Sequence, residues 1–220
     1  MVKWWTLSAT VHRVDLAQVV ALERRRLADL FDSLTPAQLA TPSLCAEWTV
    51  QQVGGHLIAQ LVGTPRMLLT ETVRSGFRLH AGNARLASRL AQRPAGEIAA
   101  ALREHATKPI GTFLGPYADL HIHGQDIRRP LGLPHGFALD QLRVVLDFLV
   151  GGRAWGFLPR TRTAGLRLET SDLSWTHGSG PPVTGPAEAL MLGLTGRDVA
   201  FGELDGPGVG VLRERIAAGR

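Results

Sequence analysis

The 220-residue chain has one cysteine, Cys45, one tyrosine, Tyr117, and only two lysines, Lys3 and Lys108. A lone cysteine excludes an internal disulfide framework and any zinc site built from several thiolates. Long apolar runs are also missing. Arg13, Asp15, Glu23 to Arg26, Arg66, Glu71 and Arg74 break the hydrophobic segments before any reaches the ~20 residues that a bilayer span requires. The opening run Met1-Val2-Lys3-Trp4-Trp5 has no apolar core followed by small residues, so no secretory leader is read and the cytoplasm is the expected compartment. A composition of 45% hydrophobic and 20% charged residues excludes disorder as the main state.

The net charge of +5 is carried almost wholly by arginine, since 24 basic residues include just the two lysines. With 25 glycines and many alanines, this is the bias of a GC-rich genome. No basic stretch is interleaved with aromatics as single-strand binders require, which argues against a nucleic-acid partner. Eight histidines remain as the main metal or acid–base resource.

From Val11 to Leu34 apolar residues recur at three-to-four spacing, the pattern of a long amphipathic helix. Thr35-Pro36-Ala37-Gln38 then combines a capping hydroxyl, proline at the first helical position and glutamine three residues on, so a short helical turn starts there. Thr49 and Gln52 repeat that capping box before a second long helix from about Val50, which ends at Thr64 or continues past Pro65 with a kink or break. Ala81-Gly82-Asn83 reads as a turn. Stretches at about Ala84–Ala91 and Glu97–Ala106, divided by Pro94 and Gly96, form a third bundle element. A fourth helix starts near Pro116 and ends before Gly132-Leu133-Pro134, and a fifth runs from Leu139 to Val150.

Past Gly151-Gly152 the pattern changes. Leu166–Thr170 and Leu173–His177 alternate as strands, with a Gly/Pro-rich turn from Gly178 to Pro182. Gly185-Pro186 opens a helix that ends at Thr195-Gly196, and Val209–Ile216 forms one more. The expected architecture is mostly α: a helical bundle over residues 1–150 and a small α+β C-terminal domain over 151–220.

Two helices supply the residues best suited to chemistry. His56 lies about two turns into the second helix, after Gly54 and Gly55, whose missing side chains let neighbours approach. The fourth helix carries Asp119, His121, His123 and Asp126. At about 100° per residue Asp119 and His123 share a face with Asp126 beside them, while His121 points away. His56, Asp119 and His123 are therefore the candidate metal ligands. Two histidines and a carboxylate suit zinc and leave a position open for water or a thiol. The same i,i+4 carboxylate and histidine also arise as a simple helix-face pair, and both readings are open at this point.

The run Ser43-Leu44-Cys45-Ala46-Glu47-Trp48-Thr49-Val50-Gln51-Gln52-Val53-Gly54-Gly55-His56-Leu57 resembles the N-terminal signature of the mycothiol-dependent maleylpyruvate isomerase family, a branch of the DinB-like metal-binding four-helix bundles. The stretch Asp119-x-x-x-His123-Gly124-Gln125-Asp126-Ile127 resembles its second motif, and Trp175–Gly178, Gly185–Leu190 and Leu194–Arg197 resemble its small C-terminal domain. The resemblance implies a DinB-like bundle holding a divalent metal, usually zinc, through His56, Asp119 and His123. It implies mycothiol as thiol cofactor and a small electrophilic or carboxylate substrate, with cis–trans isomerisation of a maleylpyruvate-like molecule or thiol transfer as the reaction. The arginine-rich composition fits an actinobacterial setting for such a thiol.

The family's namesake carries glutamate where this chain has Asp119, one methylene shorter, which opens a second reading: a non-catalytic, metal- or ligand-binding, stress-responsive protein that keeps the bundle. Asp126 is the expected partner of a ligand histidine's second ring nitrogen. Arg197 and Arg128, with Arg129 beside it, are the candidate cations for substrate or thiol. Cys45 reads as a packed, inert thiol, Trp48 as a bundle-end anchor and His177 as a surface residue near a turn. His12, His80, His105 and His135 read as surface residues.

Overall fold

The computed structural model describes residues 15–45, 48–134, 136–152, 154 and 156–219. His12, His135 and the first turn expected from Val11 lie outside the described residues, as does the side chain of His80. The first helix, α1 (Leu16–Ser33), is opened by the Asp15 carboxylate, which accepts from the N–H groups of Ala17 and Gln18. Short α2 (Pro36–Ala40) and long α3 (Val50–Val62) each begin with both halves of the expected capping box, Thr35 with Gln38 and Thr49 with Gln52. The chain breaks at Gly63-Thr64. It restarts as α4 (Pro65–Arg74) with Pro65 at the first helical position, where its missing N–H costs nothing.

Ala81-Gly82-Asn83 is not a turn. It lies inside α5 (Leu79–Leu90), and a Cβ on Gly82 would meet Thr72 of α4 at 2.5 Å, so this glycine serves helix–helix contact. Next come α6 (Ala95–Glu104), α7 (Gly115–Arg128) and α8 (Leu139–Val150). The bundle proper is α1, α3, α6 and α7, with α1 and α3 each packed on α6 and α7. α5 leaves that set and pairs instead with α3 and α4, so the third bundle element is α6 alone. The core runs through Leu27, Phe31, Ile58, Ile98, Leu102, Ile122 and Ile127, all fully buried.

After α8 a three-stranded sheet forms in the order β2-β1-β3. β1 (Arg167–Thr170) pairs antiparallel with β2 (Thr176–Gly178) and parallel with β3 (Pro182–Gly185). The second strand starts at Thr176, later than the alternation suggests, and β3 occupies the end of what reads as a turn. Pro182, lacking an N–H, is tolerated as the first residue of an edge strand. Helices α9 (Ala187–Leu194) and α10 (Gly208–Ala217) complete the chain, and Gly196 caps α9 at φ +88°. Trp175 donates its indole N–H to Asp147 of α8 at 2.7 Å, tying the sheet to the helical region. The hydrophobic core is continuous across both. No described helix is long and apolar enough to cross a membrane.

Gly54 and Gly55 do what their spacing suggests. A Cβ on Gly54 would overlap the Phe31 ring of α1 at 2.4 Å, and one on Gly55 would sit 2.3 Å from the Ala87 carbonyl oxygen of α5. Backbone cannot rotate aside as a side chain can. Gly55→Ala is therefore expected to lower stability by about 1–3 kcal/mol, measured by urea unfolding. Gly96→Ala, at an exposed position of α6 with nothing within 4 Å of the added methyl, is the neutral or stabilising control.

Candidate metal centre

α7 has no single apolar stripe: every residue from Gly115 to Arg128 except Pro116 and Asp119 is buried. Buried polar side chains need partners, and they sort to different sides of the helix. His121 donates from Nδ1 to the Tyr117 carbonyl at 2.8 Å and lies between the Tyr117 and Phe137 rings, each 4.4 Å away between centroids. Arg128 reaches Glu23 of α1 at 3.0 Å. Gln125 donates to Glu188 of α9. His123 and Asp119 face α3.

There the structure brings together His56, Asp119 and His123, with one ligand atom of each within 4.8 Å of the others. His56 Nε2 is 3.5 Å from Asp119 Oδ2, and His123 Nε2 is 3.7 Å from Asp119 Oδ1. Both separations are long for a hydrogen bond. They lie close to the edge of a tetrahedron with ~2.1 Å bonds, about 3.4 Å, which is the spacing zinc ligands adopt. The Asp119 carboxylate, though one methylene shorter than glutamate, thus reaches both imidazoles. Gln60, from the next turn of α3, donates to Asp119 Oδ2 and holds it.

The protonation states suit ligation. Burial pushes the His56 imidazole toward its neutral form. Burial also raises the Asp119 carboxyl, but the nearby His56 and His123 imidazoles and the Gln60 amide outweigh it and hold the carboxyl below its usual range. The Nδ1 of His123 is bonded to Asp126 Oδ2 at 2.8 Å, leaving Nε2 free to face Asp119. Asp126 is fully buried and held in turn by Arg197, through Nε at 2.9 Å and Nη2 at 2.6 Å. The donor set and tautomer fit a divalent ion of the zinc type.

The three residues border a cavity of about 450 Å³ walled by Cys45, Trp48, Phe157, Thr195 and Arg197, among others. Trp48 is more than an anchor: its ring lies 5.0 Å from that of His56 and 6.2 Å from that of His123. Cys45, with no histidine beside it in sequence, has His123 and Asp126 beside it in space. Burial pushes its thiol up to about 11, so it stays protonated at neutral pH and is no nucleophile.

The expected cations sit in different surroundings. Arg197 does border the cavity, but its guanidinium is committed to Asp126 and to the Thr195 carbonyl. Arg128 does not line the cavity, because it neutralises buried Glu23, and Arg129 pairs with Glu188 and Glu203. His177 is exposed and borders a separate shallow pocket beside α8, and His105 is the half-buried residue that closes α6. Gln60, Trp48 and Thr195 have no spacing signal toward the histidines in sequence, and only the fold brings them to the site.

Two buried groups make stability depend on pH. Burial lowers the His121 imidazole to about 4. The unfolded chain then binds a proton that the native chain excludes, so stability falls as pH drops from about 6.5 to 4, by an amount on the order of 3 kcal/mol. His121→Phe is expected to flatten that window in urea titrations at several pH values. Asp126 is held down at about 2, by Arg197 and His123 against its burial. Its contribution is present above pH ~4 and is lost as pH falls toward 2. Arg197→Ala, which leaves a buried unpaired carboxylate, is expected to cost about 3–5 kcal/mol in the same assay.

Residues 20–112 match the family model of the mycothiol maleylpyruvate isomerase N-terminal domain. Among solved structures the chain is similar to the crystal structure of the mycothiol-dependent maleylpyruvate isomerase, at 13% identity and a TM-score of 0.51. It is also similar to that of a histidine-to-alanine mutant of that isomerase, at 15% identity and a TM-score of 0.52. Each likeness covers 87% of this chain and 90% of the other. No curated protein sequence matches the chain. The structural likeness establishes the fold, a helical bundle followed by a small sheet-containing segment, and residues 20–112 within it are similar to the mycothiol maleylpyruvate isomerase N-terminal domain.

Proposed function

We propose that this protein is a cytoplasmic, metal-dependent enzyme that activates a low-molecular-weight thiol, mycothiol, for cis–trans isomerisation of a maleylpyruvate-like substrate or for thiol transfer to a related electrophile. In this reading residues 1–150 are the domain that supplies the ligands His56, Asp119 and His123, and residues 151–220 are the domain that closes the site. The observation that carries it is the convergence of two imidazole nitrogens and a carboxylate on one wall of a cavity large enough for a small substrate.

A zinc ion held there supplies Lewis acidity that converts a thiol to thiolate at neutral pH. The chain's own residues prepare that site. Asp126 holds the His123 ring in the tautomer that presents Nε2, and Arg197 holds Asp126 ionised. Gln60 fixes the second oxygen of Asp119. Trp48 and Phe157 give the cavity an apolar wall, and a protonated Cys45 does not compete with an incoming thiol. With a metal held by His56, Asp119 and His123, a thiolate would add to the conjugated double bond to give an enolate, rotation would follow about the resulting single bond, and expulsion of the same thiolate would restore the double bond.

Elemental analysis of purified protein is expected to find close to one zinc per wild-type chain and a loss of at least tenfold in affinity for His56→Ala and His123→Ala. Equal trace metal in all three would overturn the metal assignment. Mycothiol-dependent loss of a maleylpyruvate-like substrate by the wild type, abolished in both variants, separates an enzyme from a protein that only binds.

A further inference from the structure

A second concavity of about 510 Å³, also bordered by Trp48, lies between α4 and α5. Its walls carry Arg74, Arg85 and Arg89 around a single carboxylate, Glu71. Glu71 is almost wholly buried, and each arginine reaches it: Arg74 Nη1 at 3.1 Å, Arg89 Nη1 at 3.3 Å and Arg85 Nε at 3.5 Å. The three cations hold the Glu71 carboxyl below its usual range even though burial opposes them. One carboxylate balances one guanidinium, so among the described lining residues two positive charges remain. Every one of the three side chains is more than half exposed, and each guanidinium has five N–H donors of which the carboxylate occupies few. Gln52, Ser88 and Gln92 add neutral hydrogen-bonding groups, and Trp48 is a wall of this groove and of the metal cavity alike.

We propose that this groove binds an oxyanion, the carboxylate or phosphate group of a small molecule that lies across Trp48. Three arginines preorganised on a buried carboxylate present planar, bidentate donors at fixed positions, which is the arrangement that recognises carboxylates and phosphates. A clasp between α4 and α5 needs only one arginine per carboxylate. The surplus charge, gathered in a concave site and flanked by neutral donors, is what a ligand anion completes. The proposed function enters only in the continuity with the metal cavity, and oxyanion binding in the groove stands without a metal.

The test is calorimetric titration of the metal-free full chain with inorganic phosphate and, separately, with maleate, at constant ionic strength, with the arginine Nε–Hε resonances followed by NMR. Saturable binding is expected, with shifts confined to Arg74, Arg85 and Arg89. Arg85→Gln and Arg89→Gln should each weaken it at least fivefold, and Arg89→Lys less than Arg89→Gln. Arg103→Gln, exposed and paired with Asp29 and Asp32 elsewhere, should leave it unchanged. Equal affinity in wild type and groove variants, or variants that lose thermal stability while affinity holds, would reduce the cluster to a helix clasp and overturn the proposal. Binding lost in His56→Ala instead would move the anion to the metal cavity and overturn it as well.

Discussion

The carboxylate of Asp126 has no solvent exposure, and much of the molecule is arranged around that fact. An ionised group in a protein interior is tolerable only when paired and fully hydrogen-bonded. Its two oxygens take three such bonds, two from Arg197 and one from His123, while the Leu44 N–H bonds to the Asp126 backbone carbonyl. Those partners come from separate parts of the chain: the loop before α3, helix α7 and the segment after α9. One buried charge therefore brings together the wall bearing Cys45, the His123 imidazole and the C-terminal segment. Arg197 acts through Asp126, and Asp126 acts through the orientation of His123.

Helix α7 shows how such an arrangement is built without an amphipathic pattern. Because it is enclosed on nearly all sides, its polar residues cannot turn to solvent, and each is directed by whatever neighbour can satisfy it. Arg128 goes to Glu23, Gln125 to Glu188, and His121 to its own helix backbone between two aromatic rings. His123 and Asp119 are left facing α3. Two histidines two residues apart are thereby given unlike environments, one dry and aromatic, the other bordering a cavity beside carboxylates.

At position 119 an aspartate has a shorter reach than a glutamate would, and backbone placement compensates for it. One methylene fewer suggests a carboxylate that falls short. Here Gly54 and Gly55 let α1 and α5 close on α3, and Gln60 on α3 holds the Asp119 oxygen that faces His56. The reach of a ligand depends on where its backbone sits, and the packing of glycine against Phe31 and against Ala87 helps to set that.

Local chemistry made a large part of this protein readable in sequence. The two capping boxes, the proline restart at α4, the glycine cap of α9 and the 3.6-residue periodicity are interactions between near neighbours, and each is present in the fold. Helical geometry likewise separated His121 from His123 and grouped His123 with Asp119 and Asp126. What the sequence could not decide was pairing across distance. Strand β3 is a four-residue segment recognisable only by its parallel partner β1. The departure of α5 from the bundle, the commitment of Arg197 to Asp126 and of Arg128 to Glu23, and the place of Trp48 between two concavities all depend on residues tens of positions apart. The sequence determined which segments form helices and which side chains have the chemistry to bind a metal. The tertiary structure decided which charges are already spent on one another, because a buried charge is tolerable only when paired and the chain alone does not say with which partner.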